Sequence, residues 1–75
     1  MNALDTYRTA AKTIRPFSAV KATTVISEQQ GDSLVLELHT DHIPADVLLF
    51  IAKRGLSIEK TGTRLEDMVV KCSLE

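Results

Sequence analysis

The sequence is short of several things that small domains use. It has one cysteine, Cys72, in 75 residues. One thiol makes no internal disulfide, and with only His39 and His42 beside it no structural zinc shell can be completed. There are three aromatics, Tyr7, Phe17 and Phe50, and no tryptophan, so the core must be aliphatic. Neither sign of charge is in excess: nine Lys and Arg face ten Asp and Glu, for a net charge of -1. That balance excludes nucleic-acid binding driven by bulk charge, which needs a strong positive surplus. No apolar run approaches the ~18 residues of a membrane span. The longest, Val47 to Ala52, has the length of a core helix. Residues 1–10 show no basic stretch leading into an apolar one, so no secretion signal is read.

What is present is 44% hydrophobic residues without low complexity. This composition predicts one small folded domain over 1–75 in the cytoplasm, with no linker and no repeat. Leu34, Leu36 and Leu38 alternate with Val35, Glu37 and His39, the period of a strand with one buried face. Pro44 and Asp46 mark a helix start. Val47, Leu48, Phe50 and Ile51 then recur at helical spacing, and Lys53, Arg54 and Gly55 mark its end. The helix is predicted over 43–54. Strands follow at 56–60 and 67–72, paired as a hairpin through a turn at Thr61-Gly62-Thr63. Ser73-Leu74-Glu75 is read as a disordered tail, its Leu-Glu resembling an expression-vector scar.

The first thirty residues give conflicting signals. Ala3, Leu4, Tyr7, Ala10, Ala11 and Ile14 sit at helical spacing before Pro16. Val20, Thr23, Thr24, Val25 and Ile26 are β-branched and favour a strand. Pro16 and Ser18, however, also resemble a helix start, with Ala19, Ala22 and Ile26 on one helical face. Local pattern leaves both readings open.

One stretch carries a resemblance. Asp46, Val47, Phe50 and Gly55 fall at the spacing of the second helix and third strand of the TusA/SirA sulfur-carrier family, and Ser57-Ile58 continues it. Gly31-Asp32-Ser33-Leu34-Val35-Leu36 is similar to the family's turn into its second strand, and Asp67-Met68-Val69-Val70-Lys71 to its last strand. The resemblance implies an α/β (α+β) two-layer sandwich in the order β-α-β-α-β-β. Four strands would form a mixed sheet with two helices on one face. It places a strand near 10–15 and the first helix at 17–29, joined to the 34–39 strand by a right-handed crossover. Residues 1–9 would be an N-terminal extension.

The family's chemistry sits in a Cys-Pro-x-Pro motif at the first helix N-terminus, where the helix dipole favours a thiolate. The matching segment here is Arg15-Pro16-Phe17-Ser18. Pro16 is kept, Arg15 replaces the cysteine and Ser18 replaces the second proline. A guanidinium has no lone pair to offer, so the family relay cannot run at that position. Arg15 then has two readings: beside a helix N-terminus and with Ser18 as an extra donor it would capture an anion such as a phosphate or nucleotide, or it is a surface arginine that pairs with a nearby carboxylate. Phe17 is read as a core residue. Cys72, the one weak substitute for a catalytic nucleophile, lies on the core-facing alternation with Met68 and Val70. His39-Thr40-Asp41-His42 is read as exposed polar residues rather than a metal site, and no resident cofactor is expected.

The expected function is a non-catalytic TusA/SirA-like binding or accessory module. It would contact a protein partner or a small anionic ligand through Arg15, Pro16, Phe17 and Ser18, without nucleic acid or membrane. One alternative is a sulfur carrier or sulfurtransferase using Cys72. Another is an accessory subunit of a larger enzyme complex, with Val35, Val69 and Leu65 as its sticky positions.

Overall fold

The computed structural model describes residues 2–29 and 31–75. Its elements are α1 (Ala3–Ile14), β1 (Val20–Glu28), β2 (Gly31–Leu38), α2 (Ala45–Lys53), β3 (Leu56–Arg64) and β4 (Asp67–Leu74). The four strands form one antiparallel sheet in the order β1-β2-β4-β3, and both helices pack into a single core on one of its faces. The α+β two-layer sandwich is therefore as expected, but the element order and the mixed sheet are not. The chain runs α-β-β-α-β-β, every hydrogen-bonded strand pair is antiparallel, and the crossover is β2-α2-β3, which passes over β4.

The correction falls on the first thirty residues. Residues 3–14 form a helix, not an extension followed by a strand. Asn2 caps it by accepting the Asp5 N–H at 2.9 Å. Tyr7, Ala10, Ala11 and Ile14, spaced i, i+3, i+4, i+7, are buried along one stripe. Pro16, with no N–H to continue the ladder, follows its end. Residues 20–28, expected within a first helix at 17–29, are a strand. Its β-branched side chains suit the pleat, and it turns straight back into β2 as a hairpin, so no crossover is needed.

Directly paired residues of an antiparallel ladder share a face. The register Leu34↔Cys72, Leu36↔Val70 and Leu38↔Met68 puts the β2 leucines and the inner residues of β4 beneath the helices. Leu34, Leu36, Leu38, Val70 and Cys72 are fully buried there with Ile14 and Val47. Pro44 is the cap of α2 rather than its first residue, and Gly55 ends the helix with φ of 69°. Thr61, Gly62 and Thr63, expected as a turn, lie within β3. The reversal is made instead by Leu65 and Glu66, both at positive φ (53° and 80°). The expected disordered tail is also replaced: β4 runs to Leu74, and the Glu75 N–H donates to the Gly55 carbonyl at 3.0 Å. Among the described residues no helix is long and apolar enough to cross a membrane.

A repeat, not expected from the sequence, is present in the architecture. Each strand of α2-β3-β4 lies 36 residues after its counterpart in α1-β1-β2: Val20 to Leu56, Glu28 to Arg64, Gly31 to Asp67 and Leu38 to Leu74. Among strand positions so related, only Leu38 and Leu74 carry the same residue. What recurs is the inward apolar pattern (Leu34 and Val70, Leu36 and Cys72), which is all that packing requires.

Candidate functional site

Arg15 caps the C-terminal end of α1, and its N–H donates to the Ala11 carbonyl at 3.1 Å. Arg15-Pro16-Phe17-Ser18 is thus the loop leaving a helix, not the start of one. A helix C-terminus presents carbonyl oxygens and the negative end of the dipole, so the expected anion cradle has no backbone donors at this place. The Arg15 guanidinium is directed to β1 and donates to the Thr23 hydroxyl through Nε (3.3 Å) and Nη2 (3.1 Å). Pro16 and Ser18 are exposed. Phe17 is half-buried, packs against the core as expected and meets the edge of Phe50 with ring centroids 5.6 Å apart at 74°.

Cys72 is 0% exposed. Burial, with a smaller contribution from the Glu59 carboxylate, pushes its thiol up to about 11. At neutral pH it is a protonated apolar group, without the electropositive setting that a reactive thiol needs. His39, Asp41 and His42 are exposed, and His42 Nδ1 lies 3.0 Å from Asp41 Oδ1. The His42 hydrogen bond lowers the Asp41 carboxyl below its ordinary value. Among the described residues no group of three potential ligands is placed to hold a metal.

The feature that sequence reading missed is on α2. Val47, Phe50 and Ile51 are buried, but Leu48, expected in the core, is 46% exposed and Leu49 is 55% exposed. Ala45 and Ala52 are exposed as well. Ala45, Leu48, Leu49 and Ala52 stand at i, i+3, i+4 and i+7, so α2 carries a second apolar stripe on its outward side. The only polar residues in Ala45–Lys53 are Asp46 and Lys53, near its two ends. Beside the stripe, Phe17, Asp46, Leu49, Phe50 and Lys53 line a notch of about 280 Å³. The Arg54 guanidinium covers the Phe50 ring at 5.2 Å from its centroid. The signal was in the sequence: a nine-residue helix with two polar residues is apolar on more sides than a two-layer fold can cover.

The outer face of the sheet is more mixed. Val35 and Val69 are half-buried there in a shallow groove of about 450 Å³ flanked by Lys60, Arg64 and Lys71. Arg64 reaches Glu37 at 3.3 Å, and Lys21 reaches Asp67 at 2.5 Å. Leu65, at the turn, is 89% exposed. All three aromatics lie in the helix layer or its loop, so this face has no stacking platform for bases.

Compared with family models, curated proteins and solved structures, the chain matches none.

Proposed function

We propose that this chain is a non-catalytic binding module that docks a protein partner on the outward face of α2 and the adjoining Phe17 notch. The observation that carries the reading is the exposed stripe Ala45-Leu48-Leu49-Ala52. A surface helix normally turns polar residues to solvent, as α1 does with Asp5, Arg8, Thr9 and Lys12. Exposed leucines flanked by alanines form a ridge that a second helix can approach closely, with Phe17 and Phe50 beside it. The partner presented here is an amphipathic helix with an apolar stripe. A cation beside Asp46 and a carboxylate beside Lys53 would fix its direction.

The Phe17 contact belongs to the segment expected to bind, but the chemistry there favours an apolar partner over a small anion. Arg15 is engaged with Thr23, and the helix end beside it is the negative one. The burial of Cys72 supports the non-catalytic half of the reading.

A photo-crosslinking residue placed at Leu49 tests the proposal in the source cell. The expected result is one discrete adduct with a different protein, lost when Leu48 is changed to Glu. Adducts only with a second copy of the chain, or adducts indifferent to Leu48→Glu, would overturn it.

A further inference from the structure

The pairing of β2 with β4, which joins the two units, stops at Leu34 and Cys72. Beyond that point β2 stays with β1 as far as Gly31, and β4 stays with β3 as far as Leu74. The sheet splits between the two hairpins, and a cleft of about 370 Å³ opens there. Glu28, Asp32 and Glu59 are among its lining residues with one basic residue, Lys71, so the residues around it carry an excess of negative charge. Ser33 also lines it. Ser33 is 2% exposed, and its hydroxyl has no hydrogen-bond partner among the described residues. A hydroxyl buried without a partner costs free energy unless something supplies the bond.

The repeat provides an internal comparison. A shift of 36 residues carries this cleft onto the opposite end of the β2–β4 seam. There Arg64 stands in the place of Glu28 and Glu37 in the place of Ser73, and the two form an ion pair at 3.3 Å. The Lys21–Asp67 pair holds the same end. Val69 stands in the place of Ser33, so no hydroxyl is buried. One end of the seam therefore has its own cations. The other has carboxylates, a buried hydroxyl and a single lysine that joins none of the ion pairs among the described residues.

We propose that the cleft binds an organic cation, a guanidinium or alkylammonium group, held by Glu28, Asp32 and Glu59 with Ser33 Oγ accepting a hydrogen bond. The carboxylates do not form a three-ligand metal group, which favours an extended cation with several donors over a metal ion. The group can come from a free small molecule or from an arginine side chain of a peptide.

Amide chemical-shift titration tests this on the full chain. The probes are methylguanidinium and butylammonium as free cations, and a capped Gly-Arg-Gly peptide as the side-chain source, against sodium chloride at matched ionic strength. Saturable shifts centred on Gly31, Ser33 and Ser73, absent with sodium chloride, are expected. Glu28→Gln combined with Asp32→Asn should weaken binding by about tenfold or more. Ser33→Val, which copies the residue at the equivalent end, should weaken it by about three- to tenfold. Tighter binding of the peptide assigns the site to a partner's arginine, and tighter binding of methylguanidinium to a free cation; either supports the proposal. Shifts reproduced by sodium chloride, saturable shifts centred elsewhere, or binding unchanged in the double carboxylate variant would overturn it.

Discussion

The Leu74 N–H donates to the Tyr7 hydroxyl at 2.7 Å, across 67 residues of chain. The bond fastens the last strand to the first helix at the end of the sheet where β2 and β4 have parted. Tyr7 is itself buried in the core, so its ring and its hydroxyl are both used. Tyr7→Phe keeps the ring and leaves a partly buried N–H without its acceptor. It should lower stability by about 1–2 kcal/mol in urea unfolding. Unchanged stability would mean that water replaces the phenol without cost.

The β3–β4 turn holds two non-glycine residues in the left-handed region. Each such residue costs about 1–2 kcal/mol against a residue suited to that region. Leu65→Asn with Glu66→Gly supplies the residues that a two-residue hairpin turn of this kind favours. The double variant should be about 1–2 kcal/mol more stable in denaturant unfolding, and removing the exposed Leu65 should leave the core untouched. A loss of stability would count against the turn geometry.

The two faces of α2 should respond oppositely. Ile51→Ala removes buried side-chain volume and should cost about 2–5 kcal/mol. Leu49→Ala, on the outward stripe, should change stability by no more than about 0.5 kcal/mol while weakening capture of the partner. A large stability loss from Leu49→Ala would show that this stripe is packed within the chain.

Cys72 should resist alkylation. With its thiol raised to about 11 and no exposed surface, labelling of the folded protein at pH 8 should be slower than that of the unfolded protein by at least about a hundredfold. The same shift sets a pH dependence. The folded state keeps the proton above the ordinary value of 9.0, so it binds more protons than the unfolded state from there to about 11. The Cys72 contribution to stability is therefore complete below pH 9 and is lost as pH rises through about 11. Cys72→Ala should flatten that alkaline decline in unfolding measured against pH. A gain of one sulfur atom on Cys72 after incubation with a cysteine desulfurase would contradict both this and the non-catalytic reading.

Local pattern in the sequence determined more than the family resemblance did. The stripe Tyr7, Ala10, Ala11 and Ile14, closed by Pro16, specified a helix because only a helix brings those side chains to one side. The β-branched residues between Val20 and Ile26 favoured a strand for a steric reason, although Pro16 and Ser18 kept a helical reading open. The likeness to the sulfur carriers replaced both with the wrong elements, because its good matches begin at Gly31 and before that only Pro16 of the family motif is kept. The alternating leucines of β2 and the capped helix ending at Gly55 were likewise legible, since each is set by neighbours in sequence.

Tertiary structure decided what depends on distant partners. Leu48 and Leu49 are as apolar as Phe50 and Ile51, and only the packing of α2 onto the sheet leaves the first two uncovered. Ser33 reads as a turn residue in sequence, and only the fold shows its hydroxyl buried without a partner among the described residues, beside the cleft where β4 leaves β2. The 36-residue repeat is invisible in residue identity because packing conserves volume and inward direction rather than side-chain type. The place of Arg15 changed most. As a neighbour of Pro16 it resembled the lip of a helix N-terminus, and the helix that forms lies on its other side. Reversing the helix reverses the dipole, and with it the sign of the charge that this end of the loop can hold.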